Sequence, residues 1–544
     1  MKRIYYLTII IGCILNLRAE VVNFSLQKQG STQTVTTEWV QHAHDAQRTG
    51  YTTEVVNTPW KFSWLRSDVD VRSGYMVTPV TGDGKVYIAA ADNNLYALNI
   101  NTGQNVWSVA PGGSLYSTPV YDPETKSVYI CASNPNKLYR LNSSNGATIN
   151  SFTASGALET SPLIVGNRIY ITAYGGILYA LNKITLSQNW MYQATSTWPL
   201  TYVTMPSYSA TRDIVIFCTD QDLFTHAVRA SDGTLLWKSK PTANDYRVYT
   251  ENNAQQAIEV RHSWPVVADN EGIVFVRTRH GYSAMIWHPG VPGGPNGGWP
   301  ETNAEIRQIF INYPRERCVF ALDLDDGKEA FIPLITNGAY GDGSLTQGSM
   351  PCIRTLPNGK QVAYAQYHNR QYCAAIGASW CDQVEDATIG EFVLDNNTVS
   401  GCQAGDGRFV NWPTSQGLQG DEIGPITGSG DMIFFAHWDW PLEGVIITDR
   451  SDSVGLQATN PIKTQATPWV VTENNSGCSC SPGGSSHYCS NGTCAENGGR
   501  SGPPGFFVGD SGWHIYPYVI VSSSHVIVKS ISATIFVMEN GNPY

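Results

Sequence analysis

Apolar and polar positions in this chain alternate in runs of three to six residues, bounded by Gly, Asn, Asp and Pro. That is the rhythm of half-buried and buried strands, not of helices. One set of runs reads Val86-Tyr87-Ile88, Val128-Tyr129-Ile130, Ile169-Tyr170-Ile171 and Ile214-Val215-Ile216. A second set follows as Leu95-Tyr96-Ala97-Leu98, Leu138-Tyr139-Arg140-Leu141, Leu178-Tyr179-Ala180-Leu181 and, after an insertion, Val319-Phe320-Ala321-Leu322. Next comes a polar turn where Gly103, Gly146, Gly233 or Gly327 supplies the positive φ of a tight hairpin. A strand bearing Trp107, Phe152, Trp190, Trp237 or Phe331 closes each unit, and these aromatics are expected to fill the space between units.

Each unit opens at a proline, a residue without a ladder donor that suits the first position of a strand. There are eight such positions: Pro79, Pro119, Pro162, Pro206, Pro265, Pro351, Pro425 and Pro517. The first four are 40, 43 and 44 residues apart, the period of a four-stranded propeller blade. The pattern predicts an all-β, eight-bladed β-propeller over residues 74–544. Its last blade has strands near 516–521, 525–528 and 534–538 and lacks an outer one. Residues 60–65 can supply it, so residues 20–73 are read as a lead-in that closes the ring and leaves no edge unpaired. Eight blades need roughly 340 residues. The excess lies in insertions near 287–317, 368–391 and 463–511, the first too rich in Pro and Gly (289–295) for regular structure.

The Val-Tyr-Ile strand, Leu-Tyr-Ala-Leu, a turn with Thr or Asp before Gly, and Trp about four residues later resemble the quinoprotein-type propeller repeat, strongly over residues 74–240. The segment His44-Asp45-Ala46-Gln47-Arg48-Thr49-Gly50 resembles the lead-in of exported members of that superfamily. The resemblance implies a fold shared by enzymes and cofactor-free scaffolds. The enzymes among them need calcium held by Glu, Asn and Asp, an Asp base, a Trp beneath the quinone and, often, a disulfide between adjacent cysteines. No two cysteines are adjacent here and the blade signatures of those enzymes are missing, so no catalytic residue carries over and the quinone PQQ is disfavoured.

Residues 1–19 combine Lys2 and Arg3 with an apolar run to Leu17 and a small Ala19, and read as a signal peptide. Ile10-Ile11-Gly12 before Cys13 loosely matches a lipoprotein box, but the apolar run continues past it as in an ordinary signal core. The chain carries a net charge of −11, which disfavours nucleic acid, and no later run predicts a membrane span. The expected location is extracellular or periplasmic. Cys478, Cys480, Cys489 and Cys494 fall in a stretch rich in Gly, Ser and Asn that reads as a disulfide-stapled loop, with zinc as the rival; Cys373 and Cys381 are expected to close another loop. Sequons at Asn23, Asn142, Asn396, Asn474 and Asn491 are candidate glycan sites.

If the eight prolines are equivalent, the residues three before them ring the mouth of the central channel: Met76, Tyr116, Glu159, Val203, His262, Gly348, Glu422 and His514. Glu159, His262, Glu422 and His514 form a candidate divalent-cation site, and Trp264 and Tyr516 flank it as further ligand-binding candidates. No other cofactor is assigned. Gly509-Asp510-Ser511-Gly512 looks like a serine-protease nucleophile motif but runs into the final blade, and Asp323 to Gly327 reads as turn chemistry. Trp287, Trp299, Trp380, Trp412, Trp438, Trp440 and Trp469 crowd the later loops, where flat faces suit sugar rings or protein anchors. The leading expectation is an exported, non-catalytic scaffold, adhesive or structural subunit of an extracellular assembly. It would associate with itself or with a protein or glycan partner through the insertions. A quinone- or metal-dependent dehydrogenase and a carbohydrate-binding propeller are the alternatives.

Overall fold

In the computed structural model, the described residues are 38–66, 68–71, 77–196, 202–220, 222–240, 248–251, 254–260, 263–280, 302–312, 317, 319–335, 350–367, 386–411, 418–419, 425–435, 443–451, 455–459, 487–490, 493–496, 518–529 and 535–541. They belong to one unit, 38–544. It is a β-propeller. Among these residues are six four-stranded antiparallel sheets; in the first four, successive strands are joined by short hairpins into a meander.

The first sheet contains Val80–Gly82, Lys85–Ala89, Leu95–Asn99 and Asn105–Val109 in that order. Three more follow with the same order, starting at Val120–Asp122, Leu163–Val165 and Ser207–Ser209. The fifth contains Val266–Ala268, Ile273–Arg277, Val319–Asp323 and Glu329–Phe331. Two further four-strand runs, starting at Cys352–Thr355 and Thr427–Ser429, are fused into a ten-stranded sheet because their outer strands, Gly407–Asn411 and Gly455–Thr459, pair in parallel. The terminal sheet contains Tyr518–Ser522, His525–Lys529 and Ile535–Asn540, and Trp60–Arg66 is its outer strand, antiparallel to Ile535–Asn540.

The second strands of the regular sheets are buried on both faces, as in Ser127–Ala132 and Ile214–Cys218, because each sheet is covered by two neighbours. The fourth strands alternate toward solvent, as in Thr148–Thr153. Their aromatics reach the next sheet's turn. A methyl group on Gly103 would meet the Trp64 ring at 2.6 Å, on Gly146 the Trp107 ring at 2.8 Å, and on Gly233 the Trp190 ring at 2.5 Å. Trp237 lies over Gly327 in the same way. Each indole N–H then donates to a carbonyl beside that turn: Trp64 to Ile100 (2.7 Å), Trp107 to Ser143 (2.9 Å), Trp190 to Ala230 (3.1 Å) and Trp237 to Leu324 (2.8 Å). Glycine is needed at these turns for its φ near +70° and for the absence of a Cβ beneath the ring.

The third sheet departs from this pattern. Leu186 takes the left-handed turn position at φ 56°, and the facing residue is Phe152, which has no N–H to donate; the two share one apolar cluster.

The insertions differ in part from the sequence expectation. The first holds a ten-residue helix, Asn303–Asn312, opened by a reciprocal Thr302–Glu305 cap and seated through Ile306, Ile309 and Phe310 on the core. Alternation of apolar residues at helical spacing is present there, but the preceding Pro/Gly run masked it. The second insertion ends earlier than Glu391, since Asp386–Val393 is a strand. A further interruption separates the fourth and fifth sheets, where Val248–Glu251 pairs with Ala254–Glu259 and the latter with Arg279–His280. The third insertion includes a hairpin, His487–Ser490 with Thr493–Glu496, in which Cys489 and Cys494 are register partners.

Candidate functional site

The inner strand of each propeller sheet has one edge facing the axis, and its backbone groups need partners. The lead-in provides them in chain order. Trp39 O accepts from Thr81 N (2.8 Å), Val40 O from Tyr121 N (2.8 Å), Gln41 Oε1 from Ile164 N (3.2 Å), Ala46 O from Tyr208 N (2.8 Å), Gln47 O from Val267 N (2.9 Å), Thr49 O from Ile353 N (2.8 Å) and Gly50 O from Gly428 N (2.9 Å). In six of these seven strands the donor is the second residue after the strand's proline. Tyr51–Thr52 then runs parallel to Thr427–Ser429, and Trp39 N donates to Ser522 Oγ of the terminal sheet (3.2 Å). The lead-in coils tightly to do this: Ala43, His44, Arg48 and Gly50 all have positive φ, and Asp45 caps Thr49.

Arg48 is fully buried, with Nη1 donating to His42 O (2.8 Å), Nη2 to Pro162 O (3.0 Å) and Nε to Pro206 O (3.2 Å). Burial pushes it down to about 10. His42 Nδ1 lies 3.1 Å from Thr118 Oγ1, and its ring meets Trp264 edge to face at 4.4 Å and Tyr518 at 5.7 Å. Burial first, then the nearby Arg48 and Lys529 charges, hold His42 well below the usual imidazole range, so it is neutral. The residues just before the prolines are coupled: Thr78 N donates to Thr118 Oγ1 (3.0 Å) and Thr118 N to Ser161 Oγ (2.9 Å). Lys529 donates to Val77 O and is pushed by burial down to about 7, against the attraction of Asp70. The axis is thus occupied by the chain's own cations, hydroxyls and aromatics.

Of the six channel-mouth residues expected from the sequence, two fall among the described residues. Glu159 is half-buried and accepts from the Tyr174 hydroxyl and from Ser133 Oγ (3.4 Å). Trp264 is buried (2% exposed) with its ring edge to face against His42. His262, Glu422, His514 and Tyr516 lie outside the described residues, as do Met76, Gly348, the Gly509–Gly512 motif and the seven loop tryptophans. Tyr116 is exposed and Val203 buried. Cys373, Cys381, Cys478 and Cys480, with sequons Asn23, Asn474 and Asn491, also lie outside; Asn142 is half-buried in a hairpin turn and Asn396 is exposed. Cys131, Cys218 and Cys352 are buried thiols, raised by desolvation and so unreactive.

Among the described residues, no three His, Cys, Asp or Glu side chains converge to hold a metal ion. Asp45 is used by Thr49, and the other central donors are Arg48, Lys529, neutral His42 and hydroxyls. That set does not fit a calcium-bound quinone, and no catalytic step follows from it. Sequence reading missed His42, Arg48, Tyr174, Tyr518 and Lys529. Their common signal, polar residues in apolar or pre-strand contexts, cannot be told from solvent-facing polar side chains until the ring closes. No helix among the described residues is long and apolar enough to cross a membrane.

The family model described as outer membrane protein assembly factor BamB matches residues 53–129 and 123–332, more than half of the 544 residues. No curated protein matches in sequence. Similar solved structures include BamB from Moraxella catarrhalis, 10% identical with a TM-score of 0.46, covering 88% of this chain and 100% of that one. Another is the quinohemoprotein alcohol dehydrogenase from Comamonas testosteroni, 12% identical with a TM-score of 0.49, covering 94% and 82%. At these identities the likeness concerns the fold alone.

Proposed function

This chain belongs to the BamB family of quinoprotein-type, PQQ-like propellers, and from that premise we propose that it is an exported, non-catalytic propeller that serves as a binding scaffold. One observation carries the reading: the axial edges of the blades are taken up by residues 39–52 of the same chain, with Arg48 and His42 fully buried among them. A centre built this way stiffens the ring and leaves recognition to its mouth and its loops.

The reading includes eight blades, supported by the six four-stranded sheets and the two four-strand runs of the fused sheet, and closed through Trp60–Arg66. It places partner contacts, with a second copy or another protein, on the insertions near 287–317, 368–385 and 463–511, where chain beyond the needs of the blades accumulates. Protein reconstituted with quinone and calcium should give no dye-linked oxidation of alcohols or sugars. Reproducible turnover would overturn the scaffold reading.

A further inference from the structure

Beside the inner strands of the third and fourth sheets, loops bring one carboxylate together with two aromatic rings. Glu159 lies there with Tyr174, whose hydroxyl donates to Glu159 Oε2, and with Ser133, whose hydroxyl meets Oε1 at 3.4 Å. Tyr174 stands edge to face with Tyr202, ring centroids 4.9 Å apart, and both are half-buried, so part of each ring reaches solvent. Tyr116, 44% exposed, precedes Pro119.

The placement is built rather than incidental. Tyr174 N donates to Ala157 O (3.0 Å), and Gly156 packs so closely on the Tyr174 carbonyl that any side chain there would collide with it. Ser114 and Ser133 form a bridge beside it with two 2.9 Å hydrogen bonds. Among the described residues Glu159 meets hydroxyls and forms no ion pair, whereas Asp122, Asp325, Asp406 and Glu391 each have a Lys or Arg.

Resting on the scaffold reading, we propose that this patch receives a basic side chain, the guanidinium or ammonium of an extended segment of a protein partner. The carboxylate supplies the charge and the tyrosine faces supply cation–π attraction. A divalent ion is the poorer match, because it needs several oxygen ligands and the described patch offers a single carboxylate. The chain's net charge of −11 favours encounter with a basic partner in general.

The test uses the full chain and a fluorescent hexapeptide with two arginines, compared with the same peptide carrying citrulline. The arginine peptide should bind at least about tenfold more tightly, and Glu159→Gln should remove that difference. Tyr174→Phe keeps the ring and releases Glu159 from its hydroxyl, so it should bind the peptide as well as or better than the parent, whereas a purely structural role would weaken both variants. Equal binding of the two peptides, an unchanged Glu159→Gln protein, displacement of the peptide by millimolar calcium, or equally tight binding of free butylguanidinium would overturn the proposal. None of these results depends on oxidation activity, so failure here and failure of the scaffold reading are separable.

Discussion

The first four sheets and the fused sheet solve the same packing problem by different means. Between the regular sheets the joint is an indole on a glycine, with one N–H···O bond to the turn, repeated at Trp64, Trp107, Trp190 and Trp237. The fused sheet buries an ion network beside its apolar cluster. Glu391 is completely buried between Arg408 (2.7 Å) and Arg450 (2.6 Å), and Tyr364 donates to it at 2.6 Å. An apolar joint needs only a neighbour at fixed spacing and can be copied from sheet to sheet. A buried ion network must be satisfied at every member, so it is specific to its place.

The largest effect expected is from deleting residues 38–52, which would expose the axial N–H groups of seven inner strands at once. The protein should lose its cooperative unfolding transition; a truncated protein with the parent's melting curve would break this account of the axis. Next in size is Arg408→Met, which leaves Glu391 buried with a reduced set of cations and should cost about 3–5 kcal/mol in urea unfolding. The same method should return a similar figure for Trp107→Ala, but only the ionic variant should be partly rescued by a second change, Glu391→Gln.

The odd joint sharpens the contrast further. Phe152→Trp alone brings an indole against Leu186, and Leu186→Gly alone opens a gap beside Phe152. Each should destabilise by about 1–3 kcal/mol, and the double variant should recover much of the loss, a coupling read from a double-mutant cycle. The last comparison is by pH, and it isolates single buried groups. Burial pushes His226 down to about 3 and holds His42 low, so the unfolded chain takes up protons that the native one refuses. Their contribution is complete above about 6.5 and is lost as pH falls toward 3. Lys529, lowered to about 7, extends the rise in stability from there up to about 10.4, the ordinary lysine value. Urea midpoints should therefore climb from pH 4 to about 8, with a shallower acid limb in His226→Gln, while above about 8.5 the buried thiols of Cys131, Cys218 and Cys352, raised by desolvation, oppose the Lys529 rise.

The repeat itself was legible because a proline, a Val-Tyr-Ile run, a turn glycine and a Trp return at one spacing, and each follows from a local backbone or burial requirement. Residues 60–65 were assigned because the last blade lacked an outer strand, and Trp60–Arg66 takes the outer place in the terminal sheet. The helix Asn303–Asn312 was not, since its capping pair follows a Pro/Gly run that reads as loop.

Tertiary structure alone decided what occupies the axis. Arg48 and His42 belong to a segment with no strand pattern, and their partners, Pro162, Pro206 and Thr118, lie more than 70 residues away. Periodicity reports which face of a strand is buried, a property of neighbours in sequence. Which polar groups meet at a closed centre depends on every sheet taking its angular place in the ring, and charges such as Lys529 there, or Glu391 inside the fused sheet, find partners that no local pattern encodes.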